Sequence, residues 1–109
     1  MGSFRLRSRQ WLVNGDGRII MGEGRMEILE NIEKTGSLNR TARIMKMSYK
    51  GVWSKVKATE EAMGAKVVQS NRKQGSTLTK EGQELLRNYR SLKARCIKAD
   101  EKIFHSIFK

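Results

Sequence analysis

Two short amphipathic patterns with almost nothing between them constrain this chain more than any other feature. Residues 37–64 read SLNRTARIMKMSYKGVWSKVKATEEAMG. In the first pattern Leu38, Ala42 and Met45 recur at helical spacing; in the second Val52, Val56, Thr59 and Met63 do. Ser37 and Ser48 stand just before the two patterns, where a hydroxyl accepts from the free N–H groups of a first turn. Met47 lies in the break and is apolar, so the turn is expected to be pinned under the core. Two short helices joined by so tight a turn make a helix-turn-helix, whose second helix enters a DNA major groove. The outer side of that helix carries Tyr49, Lys50, Ser54, Lys55 and Lys57. These groups suit phosphates and base edges. A helix pair with a merely solvated basic face is the alternative that the pattern leaves open.

Charge narrows the choice. The chain has 109 residues, enough for one domain with a modest core, and 23 Lys and Arg face 11 Asp and Glu for a net +12. Such a balance favours a polyanionic partner. A membrane surface would qualify, but no stretch approaches the roughly 20 apolar residues of a span. Arg5, Arg7 and Arg9 are not followed by the apolar run of a signal peptide. Cys96 is the only cysteine, so no intrachain disulfide can form, which fits a cytoplasmic protein. Without proline or a low-complexity tract, no linker to a second domain is visible.

Taken in order, the chain divides into a β-hairpin over 1–22, a helix-turn-helix with its wing over 23–78, and a long helix over 79–109. Residues 4–13 alternate imperfectly, and Asn14-Gly15-Asp16-Gly17 supplies the positive φ angles of a hairpin turn before Arg18-Ile19-Ile20-Met21. A helix over 23–34 follows, with Met26, Leu29 and Ile32 inward and Gly36 as its stop. Its outer side holds Glu27, Glu30 and Glu33, so it is not expected to touch DNA. After Gly64, Val67-Val68 and Thr77-Leu78 read as a two-stranded ribbon with a polar, basic tip. Such a ribbon after a recognition helix describes a wing, with Arg72 and Lys73 reaching the DNA backbone or the minor groove beside the main contact. An exposed loop that happens to be basic is the plainer alternative. The residues expected at the DNA are therefore Ser37, Asn39, Arg40, Ser48, Tyr49, Lys50, Ser54, Lys55, Arg72 and Lys73.

Thr79 should cap the last helix. Along it Leu85, Tyr89, Leu92, Cys96, Ala99 and Ile103 are spaced 4, 3, 4, 3, 4, a heptad. A helix of about 30 residues would be roughly 45 Å long, longer than a compact domain of this size. Its far end would expose an apolar seam unless a second copy covered it, so a homodimer is expected. A helix bending back over its own core is the other solution.

No catalytic constellation is visible. His105 and Cys96 are nine residues apart on one helix, and no paired carboxylates, phosphate-cradling loop or metal spacing stands out. The chain is not expected to be an enzyme, and no cofactor or metal is expected. Trp53, beside Val52, reads more readily as core than as a base-stacking residue. Glu60 and Glu61 are expected on a protein-facing or solvated turn.

Gly36-Ser37-Leu38, Ala42, and then Met47-Ser48-Tyr49-Lys50-Gly51-Val52-Trp53 resemble the DNA-binding half of ModE, the molybdate-responsive regulator family. The looser pattern Ser37, Ala42, Met45, Ser48, Gly64, Leu78-Thr79 and Gly82 is shared with LysR-type regulators. Gly22-Glu23-Gly24-Arg25 and the preceding hairpin lean toward ModE. The resemblance spans about residues 4–109. It implies a mainly α fold with small β elements, namely a winged helix-turn-helix with an N-terminal hairpin and a long C-terminal dimerisation helix. It implies a bacterial or archaeal transcription regulator acting on double-stranded DNA. The wing departs from the family in carrying only Gly75 among basic, polar residues. The small β-barrels with which ModE proteins sense oxyanions would follow this stretch, so molybdate or tungstate is not expected to be captured here. An architectural DNA-binding protein, or a module that pairs with a full-length regulator, would also fit the charge and the apolar last helix.

Overall fold

The computed structural model describes residues 3–108. A short hairpin, β1 (Leu12–Val13) and β2 (Ile19–Met21), precedes three helices, α1 (Glu23–Thr35), α2 (Leu38–Ile44) and α3 (Tyr49–Met63). A second hairpin, β3 (Val68–Asn71) and β4 (Gly75–Leu78), leads into α4 (Lys80–Ile107). Both hairpins are antiparallel.

Local chemistry sets the helix ends. Ser37, Ser48 and Thr79 accept from the N–H groups of Arg40, Gly51 and Gly82, capping α2, α3 and α4. Gly36 and Gly64 close α1 and α3 in the left-handed region, with φ of 69° and 73°. Between these ends one core forms from Met21, Ile28, Leu29, Ile32, Leu38, Ala42, Val52, Val56, Val67, Val68, Leu78, Leu85, Leu86 and Tyr89. Met47 packs half-buried against it and pins the turn between α2 and α3.

The wing is fastened at its base. Ser76 N–H donates to the Gly36 carbonyl at 2.9 Å, and a Cβ on Gly75 would collide with that same carbonyl. The Glu60 carboxylate, buried at the end of α3, accepts from the N–H groups of Val67 at 2.9 Å and Val68 at 3.3 Å. Burial works to raise the Glu60 pKa, but these two donors and the Lys57 ammonium outweigh it and hold the carboxyl below its ordinary value. Thr79 ties the start of α4 to the same segment through the Lys66 and Val67 carbonyls.

Two expectations need correction. Strand pairing in the first hairpin is confined to Leu12–Val13, not 4–13. β2 is only three residues long and gives way to α1 after Gly22, so earlier residues have no partner strand. Residues 3–11 run instead along α4. The Tyr89 hydroxyl donates to the Gln10 carbonyl at 2.7 Å, and the Phe4 and Phe108 rings meet edge to face at 5.8 Å.

The second correction concerns the heptad of α4. Leu85 and Tyr89 are spent inside the chain's own core, Tyr89 with no exposed surface at all. They are not free for a dimer seam. Beyond them Leu92, Ala99 and Ile103 are exposed and Cys96 is half-buried. α4 neither bends back nor stays wholly bare, because the N-terminal segment lies against it.

Candidate nucleic-acid interface

Three elements supply the basic surface. On α2, Asn39 and Arg40 are exposed, and Ser37 uses its hydroxyl as the cap. On α3, Tyr49, Lys50, Ser54 and Lys55 are all exposed, and Ser48 is spent on capping Gly51. Ser54 donates to the Gly51 carbonyl at 3.0 Å, which orients it along the helix. At the tip of the wing, Arg72 and Lys73 sit in a turn held by Asn71, whose side chain accepts from the N–H groups of Lys73 and Gln74. Every predicted DNA-facing side chain except Ser37 is exposed.

The α3 residues do not all share one side. With Val52, Val56 and Thr59 buried, Lys50 and Ser54 occupy the opposite face at 100° per residue. Lys55 falls on the flank toward the first hairpin and lines a cavity there with Trp11 and Arg25. Trp53, read from sequence as core, is exposed on the other flank with the Lys57 ammonium 4.5 Å above its ring. The neighbouring Val52 alone fills the position facing the core.

Some residues of this surface were not singled out beforehand. Arg43 is exposed in the last turn of α2. Lys46 is exposed in the turn itself and has φ of 54°, the one positive φ outside glycine among the described residues. No pattern flags Lys46, since lysine has no preference for that conformation. Arg25, which the sequence marks only as the end of the Gly22-Glu23-Gly24-Arg25 motif, has a structural role. It donates to the Ile19 carbonyl and to Thr59 at 3.2 Å, and Thr59 in turn donates to Ile20 at 2.7 Å. Burial lowers the Arg25 pKa. With Asn14 donating to the Ala62 carbonyl at 3.1 Å, these contacts fix the first hairpin to the recognition helix.

The acidic residues lie elsewhere. Glu30 of α1 pairs with Arg90 of α4 at 2.7 Å, and Glu23 pairs with Lys93 at 2.9 Å. The hydrogen bond from Lys93 holds the Glu23 carboxyl below its ordinary value. Glu23 and Glu30 of α1 are thus engaged with α4, and among the described residues the cations of α2, α3 and the wing have no carboxylate partner except at Lys57. Among the described residues no group of three or more His, Cys, Asp or Glu could hold a metal, and no helix is long and apolar enough to cross a membrane.

A capped helix pair in a tight turn, followed by an anchored basic hairpin and a long helix, defines a winged helix-turn-helix domain. Residues 24–83 match the bacterial regulatory helix-turn-helix proteins of the lysR family. The chain belongs to that family, whose members are DNA-binding transcription regulators and not enzymes. It is 30% identical over 76 residues to the molybdenum transport protein ModE of Azotobacter vinelandii, covering 66% of this chain and 28% of that protein. The DNA-binding domain of CbnR, solved in complex with DNA, superposes with a TM-score of 0.64 at 15% identity, covering 80% of this chain and 99% of that one. A LysR family transcriptional regulator superposes at 0.62 with 16% identity, covering 79% of this chain and 31% of that chain. The chain therefore spans under a third of the ModE relative and of that regulator.

Proposed function

We propose that this domain is the sequence-reading part of a ModE-type transcription regulator and binds double-stranded DNA as a homodimer. The observation that carries the reading is that the cations of α2, α3 and the wing tip are exposed and, Lys57 apart, pair with no carboxylate among the described residues, while Glu23 and Glu30 of α1 pair with α4. Lys50 and Tyr49, at the start of α3, reach base edges in the major groove. Arg40, Lys55, Arg72 and Lys73 hold phosphates, with Asn39, Ser48 and Ser54 completing the surface. Ser37 acts through its cap on α2. The exposed Leu92, Ala99 and Ile103 of α4, with Cys96, form the seam between copies. The ModE likeness and the DNA complex of CbnR support this assignment.

The test is competition between a specific and a random duplex across salt. Lys50→Ala is expected to relax sequence preference, each lost base contact being worth roughly 1–3 kcal/mol. Arg72→Ala is expected to weaken all sequences alike and reduce the salt slope by about one unit. Exchanged phenotypes would refute the assignment, and equal affinity for every duplex would favour an architectural role. Molybdate capture is not assigned to this domain, because selective oxyanion binding needs converging donors in a shielded site. Calorimetry with sulfate as competitor tests that part.

A further inference from the structure

Between the N-terminal segment, the start of α1 and the turn of the helix-turn-helix lies a cavity of about 350 Å³. Trp11, Ile19, Ile28, Met45 and Met47 supply its apolar wall. Trp11 and Ile19 remain 61% and 42% exposed, apolar surface left in water at the mouth of the cavity. Covering such surface gains roughly 25 cal/mol per Å². Most of the charged groups are cations. Arg9, Arg25 and Lys55 line the cavity with Gln10 and one carboxylate, Glu23, which pairs with Lys93 at 2.9 Å and with Arg9 at 3.8 Å and so leaves Arg25 and Lys55 without a carboxylate there. Gly22, Glu23 and Gly24 bring the first turn of α1 to the same wall, and no side chain caps that turn. Its positive end favours an anion there. An apolar cleft of this size with a few convergent polar groups has the make-up of a small-molecule site.

We propose that this cavity binds a small amphipathic carboxylate. The flat apolar body lies between Trp11 and the two methionines, and the carboxylate faces Lys55 and the first turn of α1. A bare tetrahedral oxyanion would leave the apolar wall wet, so it is not the occupant. Met45 and Met47 belong to the segment joining α2 and α3, and Lys55 belongs to α3 itself. If Lys55 holds a DNA phosphate, as the proposed function has it, ligand and DNA compete for one ammonium. Each then weakens the other's binding by the same factor.

The probe is 2-naphthoate, titrated into the 109-residue chain without DNA and followed by backbone and methionine-methyl NMR. Neutral 2-naphthylmethanol and inorganic phosphate are the controls. Saturable shifts are expected at Trp11, Gly24, Met45 and Met47 with naphthoate, about tenfold weaker binding with the alcohol, and no saturable response to phosphate. Gly24 lines the cavity, and a Cβ there meets nothing within 4 Å, so Gly24→Leu is accommodated by the fold and adds bulk at that wall. That variant is expected to lose naphthoate binding while melting no lower than wild type. Lys55→Gln is expected to weaken naphthoate about tenfold and leave the alcohol unaffected. The site is overturned if naphthoate gives no saturable shifts, if phosphate gives the same ones, or if Gly24→Leu binds normally. A duplex titration with naphthoate separates the two claims. Intact ligand binding with unchanged DNA affinity would remove Lys55 from the DNA and leave the cavity assigned.

Discussion

Lys46 holds a left-handed backbone conformation that costs a residue with a Cβ roughly 1–2 kcal/mol. Its N–H donates to the Arg43 carbonyl at 3.2 Å, and Met47 N–H reaches Ala42 at 2.9 Å, so the turn after α2 closes around it. Glycine would adopt this turn without strain, at the expense of a more flexible unfolded chain. Lys46→Gly is expected to raise stability by about 0.5–1 kcal/mol in urea denaturation. Glu60 makes the opposite case. Its carboxyl sits below its ordinary value in the fold, so its stabilisation is present above the unfolded pKa and is lost as pH falls through the folded one. Glu60→Gln keeps an acceptor for Val67 and Val68 but removes the charge assistance. It is expected to cost about 1–2 kcal/mol at pH 7, with the gap to wild type closing on acidification. Matched urea titrations at neutral and acid pH check this. A gap that widens toward acid would reverse the sign.

At the scale of elements, what was legible in the sequence and what was not have physical reasons. The capped patterns of α2 and α3 were legible because Ser37 and Ser48 act within three residues of themselves. Gly36, Gly64 and Thr79 marked boundaries equally locally. The path of residues 3–11 was not legible, since alternation says which side chains are apolar and not which surface covers them. Tyr89 reaches Gln10 across 79 positions, a pairing no local pattern encodes. The heptad of α4 likewise hides a division: its first positions meet the chain's own core, and its later ones do not. That division is testable within one stripe of side chains. Leu85→Glu would bury a charge and is expected to unfold the domain. Leu92→Glu is expected to leave the circular-dichroism melt nearly unchanged and yield monomers by sedimentation. In the candidate interface, exposure of the basic residues was legible, but the flank position of Lys55 depends on the hairpin's seat beside α3.

The whole molecule is elongated, 57 × 31 × 20 Å with a radius of gyration of 16.4 Å. A compact chain of this length would have about 13 Å. The difference is the part of α4 that projects beyond the core with residues 3–11 alongside; the helix's 28 residues span about 42 Å. Two copies joined there would present two recognition helices related by a two-fold axis. Binding is therefore expected to favour inverted repeats whose half-sites lie about 34–36 Å apart, or a multiple of that. Shifting one half-site by half a helical turn should abolish the preference in a mobility-shift series. A wild-type chain that sediments as a monomer at tens of micromolar concentration would sink the dimer. The stacked rings of Phe104 and Phe108, with Phe4 against them, bring residues 4 and 108 to one corner at the far end of α4. Any polypeptide attached ahead of residue 3 and any attached after residue 108 would pull on that same corner. From there a load has two paths to the recognition helix. One follows α4 back to the wing base, and the other follows residues 3–11 to the hairpin seated on Thr59 and Ala62. Both paths end on the last turns of α3, at Glu60 for the wing base and at Thr59 and Ala62 for the hairpin, so a load at the corner would be delivered to one end of that helix.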